Sequence, residues 1–500
     1  MLVKVGFLMR GVIRALSSFF DNYSFVAAYP ALDDTQNVAE EGTIMNLMPK
    51  GQGTATSTHA APILFPDADG VYWSADVDEP AWNGARVDLD SDKLFWSGLG
   101  VTAATPTPIV NMRALFSDGS THREKYSDGY IGDSVASGVN ATYRPADGES
   151  VDIYLGSSVN LTQFRCETNQ LTGSIPDLSS NVNLIYFYCY SNQLTGSIPN
   201  LSSNVNLIQF YCQSNQLTGS IPALSSNVNL SIFYCYSNQL TGSIPNLSNN
   251  VNLTHFFCHF NQLTGSIPNL YNNVNLTVFS CYSNQLTGSI PDLSSNVNLT
   301  VFICHSNQLT GSIPNLSSNV NLNNFNCYSN QLTGSIPNLS NNVNLTQFSC
   351  NTNQLTGSIP DLSSNVNLIY FYCQANQLTG SIPDLSSNVN LVQFQCYSNQ
   401  LTGSIPDLSS NVNLANFFCY FNQLTGYSGG WPAKAFNFNA YGNALTEAAV
   451  NLILTEADTY GIATGTTISL AGGTNAVPTG AGLTAKANLI ANGATVTTNV

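Results

Sequence analysis

The chain has 500 residues and a formal net charge of −16. Only 8% of its residues are charged, against about 25% in ordinary soluble domains. It contains no basic patch, which argues against a nucleic-acid-binding protein, and its acidity predicts repulsion from anionic membranes. The length allows about three domains, and we divide the chain into residues 1–150, 151–426 and 427–500.

Residues 1–150 hold most of the charge and three of the four tryptophans, and they share no period with the rest of the chain. Short β-like runs at residues 63–65 and 71–73 predict a small, mostly β attachment domain. Arg10 and Arg14 interrupt the apolar start of the chain. Residues 1–25 are therefore interpreted as a short amphipathic segment rather than a signal peptide. No segment has the ~20 apolar residues of a membrane span, and we predict no membrane insertion.

One acidic run in this region, Asp88, Asp90 and Asp92, has the spacing of a calcium loop. Lys93 and Leu99 stand at the positions where that loop needs Gly and Glu. A solvated acidic turn is therefore the favoured interpretation, and we predict no metal and no cofactor for the chain.

A stretch in the same region, residues 71–86, reads VYWSADVDEPAWNGAR. It resembles segments that are common in bacteriophage virion proteins of tail or fibre type. The resemblance implies that residues 1–150 attach the chain to other virion proteins, and it indicates no chemistry.

All twelve cysteines fall at intervals of 23 residues, from Cys166 to Cys419. A fixed period of this length predicts a solenoid, in which each unit buries its apolar groups against its neighbours. The unit is L-x-x-F-x-C-x-x-N-Q-L-T-G-S-I-P-x-L, followed by V-N. Alternation along a short strand places Phe187 and Cys189 together on the inward face.

The remainder of the unit combines turn-forming and apolar residues. Asn192 is expected to bond backbone groups where the chain turns, and Gly196 is expected to adopt a positive φ. Three apolar residues are predicted to complete the core of the unit: Ile198, Leu201 and Val205.

This unit resembles the leucine-rich repeat, L-x-x-L-x-L-x-x-N-x-L, with Phe and Cys in two of the Leu positions. Its L-T-G-x-I-P segment resembles the plant-type subclass, although only one residue separates Pro from the next Leu. The resemblance covers residues 160–426. It implies an α/β-type solenoid dominated by β structure, with twelve 23-residue repeats and a parallel β-sheet on the concave face.

The cysteines could serve as metal ligands, disulfide partners or buried thiols. No C-x-x-C spacing occurs, which disfavours a zinc site. Parallel thiols that all point inward are best interpreted as small hydrophobic groups in the core.

The positions that vary between repeats flank the Phe and the Cys, and they are expected on the concave face. They are rich in aromatic and amide side chains and nearly uncharged, as in antibody paratopes. Side-by-side packing of residues with high strand propensity is the alternative interpretation. The candidate ligand-binding residues are Tyr186, Tyr188, Tyr190, Tyr211, Tyr234, Tyr236, His255, Phe257, His259, Tyr282, His305, Tyr328, Tyr370, Tyr372, Tyr397, Phe418 and Tyr420.

Residues 427–500 are predicted to form an α/β cap that covers the last repeat. Thr446 is the expected N-cap of a helix through residue 454. Strands are predicted around residues 468–470 and 495–497, and a second helix is predicted at residues 483–490.

The sequence contains five histidines and none of the common catalytic motifs, so no enzyme is predicted.

We predict a recognition protein of a virion appendage, which binds a glycan or protein on the host surface. A homo-oligomer is compatible with this sequence. The alternatives are a bacterial adhesin, which would be extracellular or on the cell surface, and an ice-binding solenoid. The invariant Asn-Gln-Leu-Thr-Gly rows suggest the latter, although a structural asparagine ladder is the favoured interpretation.

Overall fold

A computed structural model provides the structure of the protein. It describes residues 161–169, 171–461 and 465–500 in full, together with the backbone of seven strands before residue 161. The chain divides into two units, Met1–Ile44 and Met45–Val500, and every described residue lies in the second. The segment predicted for residues 1–25 and the acidic turn at residues 88–92 lie outside the described residues.

The elements described before residue 161 are all strands. They are β1 (Met45–Asn46), β2 (Leu64–Pro66), β3 (Tyr72–Ser74), β4 (Ile109–Phe116), β5 (His122–Tyr126), β6 (Asn140–Tyr143) and β7 (Val151–Leu155). The two predicted runs are the antiparallel pair β2 and β3. Strands β5 and β7 form a second antiparallel pair, and β4 pairs antiparallel with β6.

The repeats form a parallel sheet with one strand in each. The strands are β8 (Leu161–Arg165), β9 (Tyr186–Tyr188), β10 (Gln209–Tyr211), β11 (Ile232–Tyr234), β12 (His255–Phe257), β13 (Val278–Ser280), β14 (Val301–Ile303), β15 (Asn324–Asn326), β16 (Gln347–Ser349), β17 (Tyr370–Tyr372), β18 (Gln393–Gln395) and β20 (Asn416–Phe418). Each residue pairs with its equivalent 23 positions later, as Phe210 does with Phe233. This register confirms the predicted solenoid of 23-residue repeats.

The sheet extends beyond the repeats at both ends. Strand β4 pairs antiparallel with β8, and β22 (Asn437–Asn439), β23 (Thr467–Leu470) and β24 (Thr495–Thr498) continue it in parallel after β20. With β1 and β6, the described strands make an 18-stranded sheet. A separate short pair joins β19 (Ser404–Ile405) to β21 (Gly426–Tyr427).

The domain boundaries at 150/151 and 426/427 stay predictions.

The core is a column of phenylalanine rings with leucine and cysteine around it. Phe187, Cys189, Leu194 and Leu201 are completely buried. From Phe164 to Phe438 each ring stacks on the next with centroids 5.3–5.8 Å apart. Because each ring is covered by its neighbours in other repeats, the repeats stabilise one another rather than themselves.

The predicted turn asparagine is confirmed as a link between repeats. The Asn192 side chain donates from Nδ2 to the carbonyl oxygens of Cys166 and Cys189, both at 3.0 Å. Its Oδ1 accepts from the backbone N–H of Leu171 at 2.9 Å. With the N–H of Asn169 and the carbonyl of Tyr190, one side chain thereby bonds five backbone groups across two successive repeats.

The prediction that Val205 lies in the core is wrong. Val205 is 45% exposed, whereas the preceding Asn204 is completely buried. Asn204 donates from Nδ2 to the carbonyls of Leu178 and Asn181, both at 2.9 Å. The asparagine amide can satisfy both carbonyls buried at this point and the valine side chain cannot, so the asparagine takes the inward position and the valine points outward.

Two positions of the repeat have left-handed backbone, the Ser191 position in all twelve repeats and the Gly196 position in eleven of them. Gly196 has a φ of +72°, as predicted, and a Cβ there would lie 3.1 Å from the Cβ of Ser174. Ser191 has a φ of 54°, and its equivalents in the other repeats lie between 52° and 60°. Sequence reasoning missed this second bend because the position carries Ser, Thr, Phe or Ala rather than Gly or Asn.

The C-terminal region contains two described helices, α1 (Glu447–Thr459) and α2 (Gly480–Ala491). Thr446 caps α1 as predicted, accepting from the Ala449 N–H at 3.3 Å. The predicted strands are β23 and β24, and the second predicted helix is α2. Trp431 is buried, with its ring 5.4 Å from that of Phe438. These residues cover the end of the phenylalanine column.

Neither described helix combines the length and the hydropathy that a bilayer span requires.

The buried asparagine ladder predicts a contrast between two neighbouring residues. Asn296 is buried and donates to Leu270 O and Asn273 O, whereas Asn298 is exposed and donates to Val274 O. We expect Asn296→Ala to lower the free energy of unfolding by about 2 kcal/mol or more, because two buried carbonyls lose their donor. The control Asn298→Ala should change it by less than about 0.5 kcal/mol. Urea unfolding of the full chain measures both, and equal losses would contradict the role assigned to the ladder.

Candidate ligand-binding face

In each repeat strand the central Phe is buried and its two neighbours are partly exposed in most repeats. The residues on the concave face therefore fall into three columns. The first column precedes the Phe, the second follows it, and the third follows the Cys. The predicted residues are distributed as follows: Tyr186, His255 and Tyr370 in the first column; Tyr188, Tyr211, Tyr234, Phe257, Tyr372 and Phe418 in the second; Tyr190, Tyr236, His259, Tyr282, His305, Tyr328, Tyr397 and Tyr420 in the third.

In the second column the rings stack on one another. The centroids of Tyr188 and Tyr211 lie 4.6 Å apart, those of Tyr211 and Tyr234 lie 4.7 Å apart, and those of Tyr234 and Phe257 lie 4.4 Å apart. Parallel strands lie ~4.8 Å apart, so the sheet itself sets this spacing. At the N-terminal end the Arg165 guanidinium lies 5.4 Å from the Tyr188 ring centroid.

The third column contains an alternating tyrosine and histidine stack. It runs through Tyr236, His259, Tyr282, His305 and Tyr328 with centroid separations of 4.4, 4.4, 4.4 and 4.0 Å. The ring faces contact one another, so the ring edges provide the surface that remains. The side-by-side packing weighed as an alternative is therefore present, and the binding role of these residues stays a proposal.

Hydrogen bonds fix several of these rings. The Tyr188 and Tyr372 hydroxyls donate to the side-chain oxygens of Gln209 and Gln393. His305 Nε2 lies 3.2 Å from the Tyr328 hydroxyl. Burial raises the pKa of the Tyr188 hydroxyl, which keeps it a neutral donor at physiological pH.

The two stacked histidines are uncharged. Burial lowers the pKa of His259 to about 3, and burial together with His259 lowers the pKa of His305 to about 3. The charges among the described repeats on this face are Arg165 and Glu167, which form an ion pair at its N-terminal end. The remainder of the face therefore presents a neutral surface to a ligand.

The second column is interrupted for four repeats. Between Phe257 and Tyr372 it carries four residues without rings, and we call them the gap: Ser280, Ile303, Asn326 and Ser349. Sequence reasoning selected the rings and passed over the gap, although four successive repeats without an aromatic residue were a visible signal. Beside it the first column has Val278 and Val301, then Asn324 and Gln347.

Two side chains at the gap have an unsatisfied acceptor. Asn326 is 7% exposed, and its Oδ1 accepts no hydrogen bond from any described residue. The Oδ1 of Asn324 is likewise buried and unpaired within the described part of the chain. A buried acceptor without a donor costs about 1–3 kcal/mol. A ligand that donates to one of these oxygens would recover that free energy once the amide turns outward.

The twelve cysteines are buried free thiols, as predicted. Burial raises the pKa of these thiols, for example at Cys258 and Cys281, so they stay protonated and unreactive. Among residues 161–500 as described, no group of histidine, cysteine and carboxylate side chains is arranged to hold a metal ion.

The histidine stack predicts a specific pH dependence. Between pH 6.5 and about 3 the unfolded chain binds protons at His259 and His305 that the folded chain does not, so the stack loses stability as the pH falls through that window. We expect the Hε1 NMR resonances of both residues to keep the shift of the neutral form down to pH 4.5. Single variants, His259→Gln and His305→Gln, assign the two signals. A midpoint near pH 6.5 at either site would contradict the burial described above.

No protein-family model matches this sequence, and no curated protein matches it. Among solved structures, the Arabidopsis receptor kinase HAESA, in complex with the peptide hormone IDA and the co-receptor SERK1, has 24% identity and a TM-score of 0.52 over 59% of this chain and 53% of its own. PEPR1, in the structure PEPR1–AtPEP1, has 24% identity and a TM-score of 0.52 over 68% and 55%. This chain thus spans about half the length of either receptor chain. The similarity shows that the repeats have the leucine-rich repeat solenoid fold.

Proposed function

We propose that this chain is a non-enzymatic recognition protein whose concave face binds an extended segment of a protein receptor. The observation that carries the proposal is the gap in the second column between Phe257 and Tyr372, with the unpaired amide oxygen of Asn326 in it and that of Asn324 beside it. A peptide backbone supplies the N–H donors that these oxygens lack once the two amides turn outward. Val301 and Ile303 pair with Asn324 and Asn326 in the sheet, and both are partly exposed, so they offer apolar contact to a side chain of the same segment.

The ring geometry favours a protein ligand over a glycan. Sugars pack their C–H groups against the faces of aromatic rings, and within the stacks those faces are covered by neighbouring rings 4.0–4.7 Å away. Ring edges and amides suit a polypeptide. The five strand spacings from Phe257 to Tyr372 amount to ~24 Å, the length of about seven extended residues.

The neutral face also limits the type of segment. Because Arg165 and Glu167 neutralise each other at one end, the proposed ligand is an uncharged segment whose binding depends little on ionic strength. The peptide hormone in the HAESA complex supports a peptide-like ligand for this fold.

The placement of the protein follows from the N-terminal resemblance. Residues 71–86 resemble virion proteins, so we propose that residues 1–150 attach the chain to other virion proteins. The repeats, residues 151–426, then face a host receptor, and residues 427–500 cap them. The adhesin alternative uses the same face on a cell surface, and gold-labelled antibody on virions and on cells distinguishes the two.

Removal of the second-column stack tests the binding face. We expect the triple variant Tyr188→Ala, Tyr211→Ala, Tyr234→Ala to reduce adsorption of the full chain to intact cells from the source habitat at least tenfold, because the ring stack that packs against Phe257 at the border of the gap is lost. The matched control replaces exposed glutamines in three repeats with alanine: Gln262, Gln308 and Gln354. Unchanged adsorption of a folded triple variant would overturn the proposal. Binding to a glycan array, or thermal hysteresis without cell binding, would favour the alternatives.

The gap gives a second test in which stability and binding change in opposite directions. Asn326→Leu removes a buried unpaired acceptor, so we expect the free energy of unfolding to rise by about 1 kcal/mol. Adsorption should fall about tenfold because the ligand loses its acceptor. The control Gln308→Leu, at an exposed position outside the three columns, should leave adsorption within about twofold. If Asn326→Leu is destabilised and adsorbs normally, Asn326 is a structural residue.

A further inference from the structure

One row of apolar side chains along the repeats is exposed. We call it the valine ridge, and its residues are Val182, Val205, Val228, Val251, Val274, Val297, Val320, Val343, Val366, Val389 and Val412. Each is 39–54% exposed. The row recurs at the same position of eleven successive described repeats, so it is a continuous strip rather than a set of isolated apolar residues.

The turn before each strand explains this exposure. Leu207 N donates to Asn204 O at 3.1 Å, which closes a tight turn with Val205 and Asn206 at its corners. Asn204 and Leu207 are buried, so the valine between them points outward. The Asn206 side chain donates to Val182 O at 3.2 Å, which ties each turn to the preceding one. The ridge is therefore held in place before any partner arrives, which lowers the entropic cost of binding.

The ridge is large enough to be an interface. Ten strand spacings give it a length on the order of 50 Å. Half-exposed valines in this number present roughly 300–600 Å² of apolar surface, the size of the largest apolar patch on a typical monomer. Two such surfaces with their flanking asparagines bury on the order of 1,000 Å², the lower limit for a specific protein interface.

We propose that the valine ridge is a self-association surface through which two copies of this chain pair in antiparallel orientation. A partner must offer an apolar contact at every strand spacing along the whole ridge. A second copy of this chain does so because its own valines have the same spacing. The residues beside the valines are uncharged asparagines and serines, which a symmetric interface tolerates without repulsion.

Charge decides the orientation. Ten of the sixteen net negative charges lie before residue 160, and parallel pairing would place the two acidic regions side by side. Antiparallel pairing keeps them at opposite ends and sets Val297, the middle residue of the ridge, against its own copy. No valine of the ridge belongs to the three columns, so the pairing uses none of the residues proposed to bind a receptor. The proposal holds whether or not those residues bind a receptor.

Analytical ultracentrifugation of the full chain between 1 and 100 µM tests the proposal. We expect a mass that rises with concentration towards twice the 53.6 kDa of one chain. If contacts of residues 1–160 join further copies, the assembly is larger than a dimer, and the ridge variants should then halve its mass. Two triple variants remove the ridge: Val251→Lys, Val297→Lys, Val343→Lys, and the isosteric set Val251→Thr, Val297→Thr, Val343→Thr. The control Gln262→Lys, Gln308→Lys, Gln354→Lys adds the same charge at exposed positions outside the ridge and should assemble like the parent chain.

The outcomes separate cleanly. A parent chain that is monomeric at 100 µM overturns the proposal, and so does an assembly of unchanged mass in both folded valine variants. Monomeric valine variants beside an assembled glutamine control support it. Loss of cell adsorption in the valine variants of a monomeric chain would assign the ridge to another partner and overturn self-association.

Cross-linking tests the orientation. The native thiols are buried, so an added surface cysteine reacts alone. Under mild oxidation we expect Val297→Cys to form a disulfide between copies. Val182→Cys should form one only when mixed with Val412→Cys. Efficient cross-linking of Val182→Cys with itself indicates parallel pairing and overturns the antiparallel arrangement.

Discussion

The structure depends on one constraint, the register of exactly equal repeats across a parallel sheet. Each residue pairs with its equivalent 23 positions later, so every side chain lies one strand spacing from its own copy in the next repeat. A residue type that occurs at one position of the repeat therefore forms a row along the molecule. The phenylalanine column, the two asparagine ladders and the valine ridge are four results of this single rule.

Because of this register, a substitution at one invariant position affects more than one repeat. An asparagine in the ladder satisfies carbonyls in its own repeat and in the preceding one, as Asn192 does, so its loss affects two repeats. Invariant positions therefore carry the fold. Positions that vary from repeat to repeat are not required for the fold, and their side chains determine the chemistry of the concave face.

On that face the register acts on the variable residues as well. Aromatic residues at successive positions of one column stack because the strand spacing brings their rings together. The stacking covers the ring faces and stabilises the repeats, and the ring edges point outward. The binding site that we propose lies where the stack breaks. The gap between Phe257 and Tyr372 combines short side chains, apolar neighbours and two unpaired acceptors, and the ring stack that ends at Phe257 borders it on one side.

The sequence by itself determined the features that depend on local chemistry and on the period: the repeat, the inward Phe187 and Cys189, the turn at Asn192, the positive φ of Gly196 and the helix capped by Thr446. Only the tertiary structure decided which of Asn204 and Val205 is buried, because that depends on carbonyls supplied by the preceding repeat. It also decided the left-handed bend at Ser191, the ring stacking and the unpaired oxygens of Asn324 and Asn326. These features arise from contacts between repeats, which no single unit of the sequence contains.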